Sequence, residues 1–547
     1  MTRWVLMIGA ALAATPAMAQ DRGDPPAAQN AEGSGRSARQ VDIAPYLEVD
    51  QTVFAELSPG DEVATYTSVA AGVDAYIASR NAEGQISARY ERRIAWDNDD
   101  FDDDIISGLA RGSLSIGRSL TLEGGAFASR ARSIGGGGPF FDFGGDDAVS
   151  DIYSIYAGPT FATSRGVLDI NGSYRFGYTK VTAPDVATGI PGQPTFDYYD
   201  DSTSHLVTAS VGSAPYAMAP FGWTLSGAYT REDVSQLDQK YQGWFVRGDI
   251  VLPLSPTLAA VGGVGWEDID ISQRQPLVDA SGDPVLDDNG RFVSDRNAPR
   301  LIAYTDDAIY WDVGVSWRPS PRTSLEVRAG ERYDSFTAFG NFNWQFGRQS
   351  ALSIVVYDTI DSFGRRLTDD LSDLPTRFRS GRTAFGGGFG GCVFGVNEGQ
   401  AGGCLSSALA GISTANYRSR GVDAVIGSSQ GRWSYGVGGG YGHRDYYAPD
   451  LGPGITLYGI EDQNAYAQGY VAYDISPRSS VDGQVYATWY DSNSGAPDVR
   501  SLGAVGTWNY RFGRLDALAA LGIQGFSQDG FQDTTTASAQ LGMRYNF

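Results

Sequence analysis

The sequence predicts an all-β chain closed into an antiparallel transmembrane β-barrel of about 22 strands, within a range of roughly 18 to 24 and with no plug domain. Three observations predict it. Apolar and polar residues alternate with a period of two along most of the chain. Tight turns rich in Gly, Pro, Ser and Arg alternate with longer, more acidic connections. The last strand pattern ends on an aromatic residue, Phe547.

The N-terminus is set apart from this pattern. Arg3 is followed by an apolar core from Trp4 to Ala14 and by the small-x-small triplet Ala17-Met18-Ala19. Residues 1–19 therefore read as a cleaved secretory signal. The residue directly after the cleavage site is Gln20 and not Cys, so a lipid anchor is not expected there. Residues 20–40 are polar with Pro and Gly and are expected to form a flexible periplasmic leader. Residues 41–547 carry the barrel pattern.

Composition narrows the class. The chain of 547 residues has 12% aromatic residues, 71 Gly, two Cys and two His, and a net charge of −23. Phosphate binding needs a basic face, so nucleic acid is not an expected partner. No run after the signal reaches the roughly 18 apolar residues of a membrane helix.

The strands can be read directly. In "GVLDINGSYRFGYTK", Leu168, Ile170, Tyr174, Phe176 and Tyr178 share one face, and Asp169, Asn171, Ser173 and Arg175 share the other. In "RSLGAVGTWNYRFG", Leu502, Ala504, Trp508, Tyr510 and Phe512 oppose Ser501, Thr507, Asn509 and Arg511. The terminal "AQLGMRYNF" places Leu541, Met543, Tyr545 and Phe547 on its apolar face. No helical period of comparable quality is evident.

The connections separate a membrane barrel from a soluble sandwich. Tight turns fall at 80–84, 116–119, 163–166, 253–257, 318–322, 346–349, 429–432, 476–479 and 512–514. Longer ones lie between them, at 97–104, 133–150, 182–203, 273–300, 361–415 and 447–461. Membrane barrels have short periplasmic turns and long outer loops. An even strand count then puts both termini on the periplasmic side. Trp96, Trp311, Trp317, Trp489 and Trp508 fall near predicted strand ends, as interfacial girdles require.

On these residues the chain resembles Gram-negative outer-membrane β-barrel proteins. Tyr545 and Phe547 match the terminal-strand signal that the barrel assembly machinery reads in that class. The segments "PYLEVDQTVFAEL", "TYTSVAAGVDA" and "RYERRIAW" resemble, more weakly, uncharacterised barrels linked to exopolysaccharide or exosortase systems. Similar sequences are sometimes labelled as a preprotein translocase subunit, a single helical span that nothing here matches. TonB-dependent transporters share the strand number, but the 20–40 leader is too short for their plug. The resemblance implies an outer-membrane location, with membrane lipid, lipopolysaccharide and the assembly machinery as partners.

If the apolar face points outward, the inner face carries Arg89, Glu91, Arg93, Arg175, Arg247, Asp249, Asp312, Glu326, Arg328 and Arg332, with Glu123, Arg511 and Arg544. Charges of both signs lining a channel set its selectivity; as cross-strand ion pairs they would hold the wall instead. Arg92 falls on the apolar face, where mid-membrane burial would cost roughly 2–4 kcal/mol. Cys392 and Cys404 lie in one long connection and are expected to pair. A loop of about a dozen residues closed in this way gains roughly 3 kcal/mol. The acidic run at 97–104 lacks the spacing of a calcium loop and reads as a solvated rim. The Gly-rich runs at 135–145 and 386–395 lack a phosphate-loop signature.

No catalytic residue, metal site or cofactor is expected. His205 and His443 show no partner set for hydrolysis. The function expected is a channel or export conduit for polar solutes, with polysaccharide among the candidates. The alternative is a structural or adhesive barrel whose lumen the 361–415 loop blocks, and a membrane-embedded hydrolase ranks below both.

Overall fold

The computed structural model describes residues 40–60, 62–96, 103–132, 149–182, 201–280, 282–287, 291–380, 384–385, 391–395, 401–410, 412–451, 457–494 and 498–547. The signal segment, nearly all of the leader, most of the 97–104 run, the Gly-rich run at 135–145 and residues 386–390 of the second Gly-rich run lie outside these residues.

Twenty-two antiparallel strands form one sheet. The first fifteen are β1 (Gln40–Ser58), β2 (Val63–Ala78), β3 (Ala82–Ala95), β4 (Asp103–Ile116), β5 (Leu120–Arg132), β6 (Val149–Arg165), β7 (Leu168–Thr182), β8 (Asp201–Ser213), β9 (Gly222–Val234), β10 (Gln239–Pro253), β11 (Leu258–Gln273), β12 (Leu301–Ser320), β13 (Thr323–Arg332), β14 (Ser335–Gly347) and β15 (Ser350–Asp361). After β15 the chain makes α1 (Phe363–Asp373), the short strands β16 (Phe378–Ser380), β17 (Cys392–Gly395) and β18 (Gly402–Cys404), and α2 (Ser406–Leu409). The sheet resumes with β19 (Asn416–Gln430), β20 (Trp433–Tyr447), β21 (Glu461–Ser476), β22 (Ser479–Ser492), β23 (Val499–Phe512), β24 (Leu515–Gln528) and β25 (Thr534–Asn546).

Each of these strands pairs with its neighbour in the chain, and β15 pairs directly with β19. β1 pairs with β25 from Tyr46 opposite Asn546 to Ser58 opposite Thr535, so the sheet closes into a ring. Closure gives every strand two partners and leaves no open edge. It also brings the start of β1 and the end of β25 to the same end of the ring.

The polarity of the ring is the reverse of a water-soluble protein. On β1 the buried Tyr46, Glu48, Asp50, Thr52 and Phe54 alternate with the exposed Leu47, Val49 and Val53. On β10 the buried Arg247 and Asp249 alternate with the exposed Val246 and Ile250. β25 turns Leu541, Met543 and Tyr545 outward and buries Ser538 and Gln540. The period of two puts each apolar set outside and each polar set inside.

The connections follow the predicted division with local departures. Two-residue links join β6 to β7, β12 to β13, β14 to β15, β19 to β20, β21 to β22 and β23 to β24 at the end where the termini meet. The eight-residue link between β8 and β9 also lies there. At the other end the links β1 to β2, β9 to β10 and β13 to β14 are short, so the long connections do not occupy every position. Trp311 sits within β12 and not at its end, although it faces Glu331, the penultimate residue of β13.

The chain between β15 and β19 enters the ring, and here the structure departs from the expectation of no helix. α1 begins at Ser362, whose hydroxyl accepts from the Arg365 amide. Phe363, Leu367, Leu371 and Leu374 then recur at three- and four-residue spacing and make one apolar stripe. Leu374 precedes Pro375 and takes an extended backbone, which ends the helix. The stripe packs on Leu109, Phe127, Ile152, Tyr156 and Val181, side chains of β4 to β7 far round the ring from β15 and β19. An eleven-residue element is easily lost inside a strongly two-periodic sequence.

Candidate functional site

All ten of the predicted inner residues do face the interior, and the wall pairs most of them with one another. Arg247 and Arg328 share Asp249 and Asp312. Arg247 lies 2.9 Å from Asp249 and 2.6 Å from Asp312, and Arg328 lies 2.7 Å and 3.1 Å from the same two. Glu326 completes the box at 2.8 Å from Arg328. Arg328 and Asp249 are each about 1% exposed. Arg332 binds Glu267 at 2.6 Å and lies near the rings of Tyr310 and Tyr333. Arg89 pairs with Glu48, Asp50 and Glu91, and Arg93 donates to Glu91 at 2.9 Å.

Glycines let these side chains lie flat on the wall. A Cβ on Gly263 of β11 would stand 2.3 Å from Arg247 Nη2, and one on Gly72 of β2 would stand 2.3 Å from the Tyr46 ring. Bulk at either position would push the charged or aromatic layer off the sheet. Arg511 and Arg544 also find partners, Asp516 at 3.1 Å and Asp74 at 2.6 Å. Glu123 reaches Arg111 at 3.3 Å.

Arg175 leaves this wall pattern. It pairs with Asp369 on α1 and ties the inserted segment to β7. Several other contacts do the same. Arg365 binds Glu232 of β9 at 3.3 Å and stands 3.5 Å from the centroid of the Tyr241 ring. Arg366 bridges Asp370 at 3.1 Å and Asp423 of β19 at 3.2 Å. The Gln85 amide on β3 exchanges two bonds with the Phe378 backbone, at 3.0 and 3.1 Å. Phe385 packs against Phe54, Tyr66, Tyr486, Val505 and Ala520 on β1, β2 and β22 to β24. The segment thus touches wall strands on several sides of the interior. Arg111, Arg365 and Arg366 do not stand out in the sequence, because inward facing is legible there but cross-ring contact is not.

Cys392 and Cys404 are joined by a disulfide, as expected. It lies inside the ring and not in an outer loop: a Cβ on Gly438 of β20 would meet both sulfurs, at 2.3 and 2.7 Å. The bond staples β17 to β18, which also pair Cys392 with Cys404 in register.

Arg92 does lie on the outer face. It sits near the end of β3 and pairs with Asp104 at 3.1 Å with both side chains about half exposed, so the register holds. Tyr545 and Phe547 sit on the outer face at the seam, and the Phe547 amide donates to the Pro45 carbonyl at 3.0 Å.

Both histidines point outward. His205 Nδ1 lies 2.9 Å from the Tyr174 hydroxyl. His443 Nε2 lies 3.1 Å from Asp445, and with Glu461 these residues offer three ligand atoms within 4.8 Å of one another. Arg420 already neutralises Asp445 at 2.6 Å, so the group is an ion-paired rim cluster.

No protein-family model matches the chain, and no curated protein matches it. Among solved structures it is similar to the ferric-catecholate import receptor Fiu from E. coli K12 in its open form, at 10% identity over 91% of this chain and 81% of that one, with a TM-score of 0.46. It is similar to the FrpB iron transporter from Neisseria meningitidis at 10% identity over 92% and 82%, with a TM-score of 0.37. The outer membrane protein OmpT of Vibrio cholerae is matched at 10% identity over 93% and 100%, with a TM-score of 0.28.

Proposed function

We propose that the chain is a non-enzymatic outer-membrane β-barrel that conducts polar solutes through an interior narrowed by residues 362–415. The observation that carries this reading is the inverted polarity of a closed ring. Exposed apolar side chains such as Leu47, Val246, Ile309 and Leu521 belong to strands right round it. In water each square ångström of such surface costs about 25 cal/mol, whereas lipid removes that cost. Closure is what a lipid environment demands of a sheet, since an open edge would leave backbone groups unpaired. Membrane lipid and lipopolysaccharide would cover the outer face, the assembly machinery would insert the ring, and the signal segment would deliver the chain to the periplasm.

The wall charges support transport indirectly. Paired and buried as they are, they stiffen the wall and leave solute contact to the inserted segment. A second reading is favoured by one observation: the segment reaches strands on opposite sides, as a blocked, structural or adhesive barrel would require.

Swelling of proteoliposomes in neutral sugars of increasing size separates these readings. The conduit reading predicts uptake of small sugars by the wild type and a higher size limit after deletion of residues 365–413. Uptake only after deletion would favour the blocked barrel, and no uptake by either would overturn the conduit.

A further inference from the structure

The wall arginines of the predicted set all meet carboxylates, and two arginines of the inserted segment do not. Arg377 and Arg379 flank Phe378 in β16. Arg377 stands 4.4 Å from the centroid of Tyr76 on β2, and Arg379 stands 6.0 Å from that of Tyr470 on β21. Among the described residues neither makes an ion pair. The charge of Arg379 reaches Asp482 on β22 only at a distance, and that carboxylate already accepts from Asn509 at 3.2 Å. The side chain of Arg379 is exposed although the segment around it is packed.

Both arginines line one cavity of about 310 Å³. Gln349, Ser428, Ser434 and Tyr470 line it too. The cavity lies beside the β14–β15 and β19–β20 turns, toward the short-turn end of the ring. Ser428 and Ser434 are bonded to Ser350 and Ser429, at 2.8 and 3.0 Å. A hydroxyl in such a pair keeps acceptor and donor capacity for a further partner. Two guanidiniums without carboxylates, beside hydroxyls and a carboxamide, form a set of donors that matches oxyanions.

We propose that this cavity is a binding site for small solutes bearing an oxyanion, a phosphate, sulfate or carboxylate group, held by Arg377 and Arg379. The inference rests on the conduit reading for its use in transport, not for its chemistry. An anion here would sit where the inserted segment meets the wall, so that solute class is selected at the narrowing and not by the paired wall charges.

Isothermal titration of inorganic phosphate into the folded full-length protein in detergent tests this. Wild type is expected to bind. Arg377→Gln with Arg379→Gln should weaken binding about tenfold or more, since bonds to charged groups contribute about 1.5–3 kcal/mol each. Arg377→Lys with Arg379→Lys should keep most of it, and Arg318→Gln, exposed near the end of β12, should change nothing. If the double Gln variant does not fold, Arg379→Gln alone serves, because its side chain is exposed. No heat with folded wild type, or equal affinity in wild type and the Gln variant, overturns the site. Phosphate binding without any solute uptake would sink the conduit reading and leave the site standing; uptake without phosphate binding would do the reverse.

Discussion

Arg111 of β4 donates from Nη2 to the Ser372 carbonyl at 2.6 Å and from Nε to the Leu374 carbonyl at 3.2 Å. One wall guanidinium therefore meets the unpaired carbonyls and the negative dipole end of α1. Arg111→Ala should leave those carbonyls unmet at a cost of about 1–3 kcal/mol. Limited proteolysis should then cut between residues 374 and 392 faster than in wild type, with the ring intact. Unchanged cleavage would mean that the arginine does not hold the helix.

The docking of α1 should depend on pH. Burial pushes the Asp370 carboxyl up to about 8, with Asp423 of β19 and Asp373 acting in the same direction and Arg366 opposing them. The docked value lies above the ordinary 3.8, so the contribution to docking is fully present below 3.8 and is lost as pH rises through about 8. Protease sensitivity of the segment should rise over that window, and Asp370→Asn should flatten the rise. A profile that is the same in both proteins would remove Asp370 from the account.

Replacing Arg89, Arg93 and Arg328 together by Gln separates wall from solute contact. Removing one partner of a buried pair costs about 3–5 kcal/mol. Thermal unfolding in detergent should fall markedly while the ratio of anion to cation permeability stays unchanged. A selectivity shift without loss of stability would return these residues to the solute path.

How far the sequence carries the account differs between wall and interior. Leu541, Met543 and Tyr545 announce the outer face because successive strand side chains point to opposite faces, and the same alternation places Arg247 and Asp312 inside. That Arg247 contacts Asp312 across the intervening β11 is not legible, since it depends on Gly263 leaving space between them. The inserted segment was legible only as a long connection with paired cysteines. Its helix spans too few residues to outweigh the strand pattern, and Arg377 and Arg379 differ from the wall arginines in lacking a carboxylate partner, which no sequence pattern records.

The seam makes a prediction for assembly. Tyr545 is opposite Leu47, and the Phe547 amide extends the ladder to Pro45. Deleting Phe547 should leave the protein as periplasmic aggregate with little in the outer membrane, as cell fractionation would show. Normal membrane levels of the variant would count against the terminal strand as the insertion signal.

The central claim is that a closed membrane ring conducts through an interior narrowed by its own inserted segment. Conductance in a planar lipid bilayer tests it most directly, with wild type compared against deletion of residues 365–413. The account predicts small conductance steps for wild type and larger, steadier steps once the segment is gone. Silence from both proteins, each shown to be folded and inserted, would contradict it.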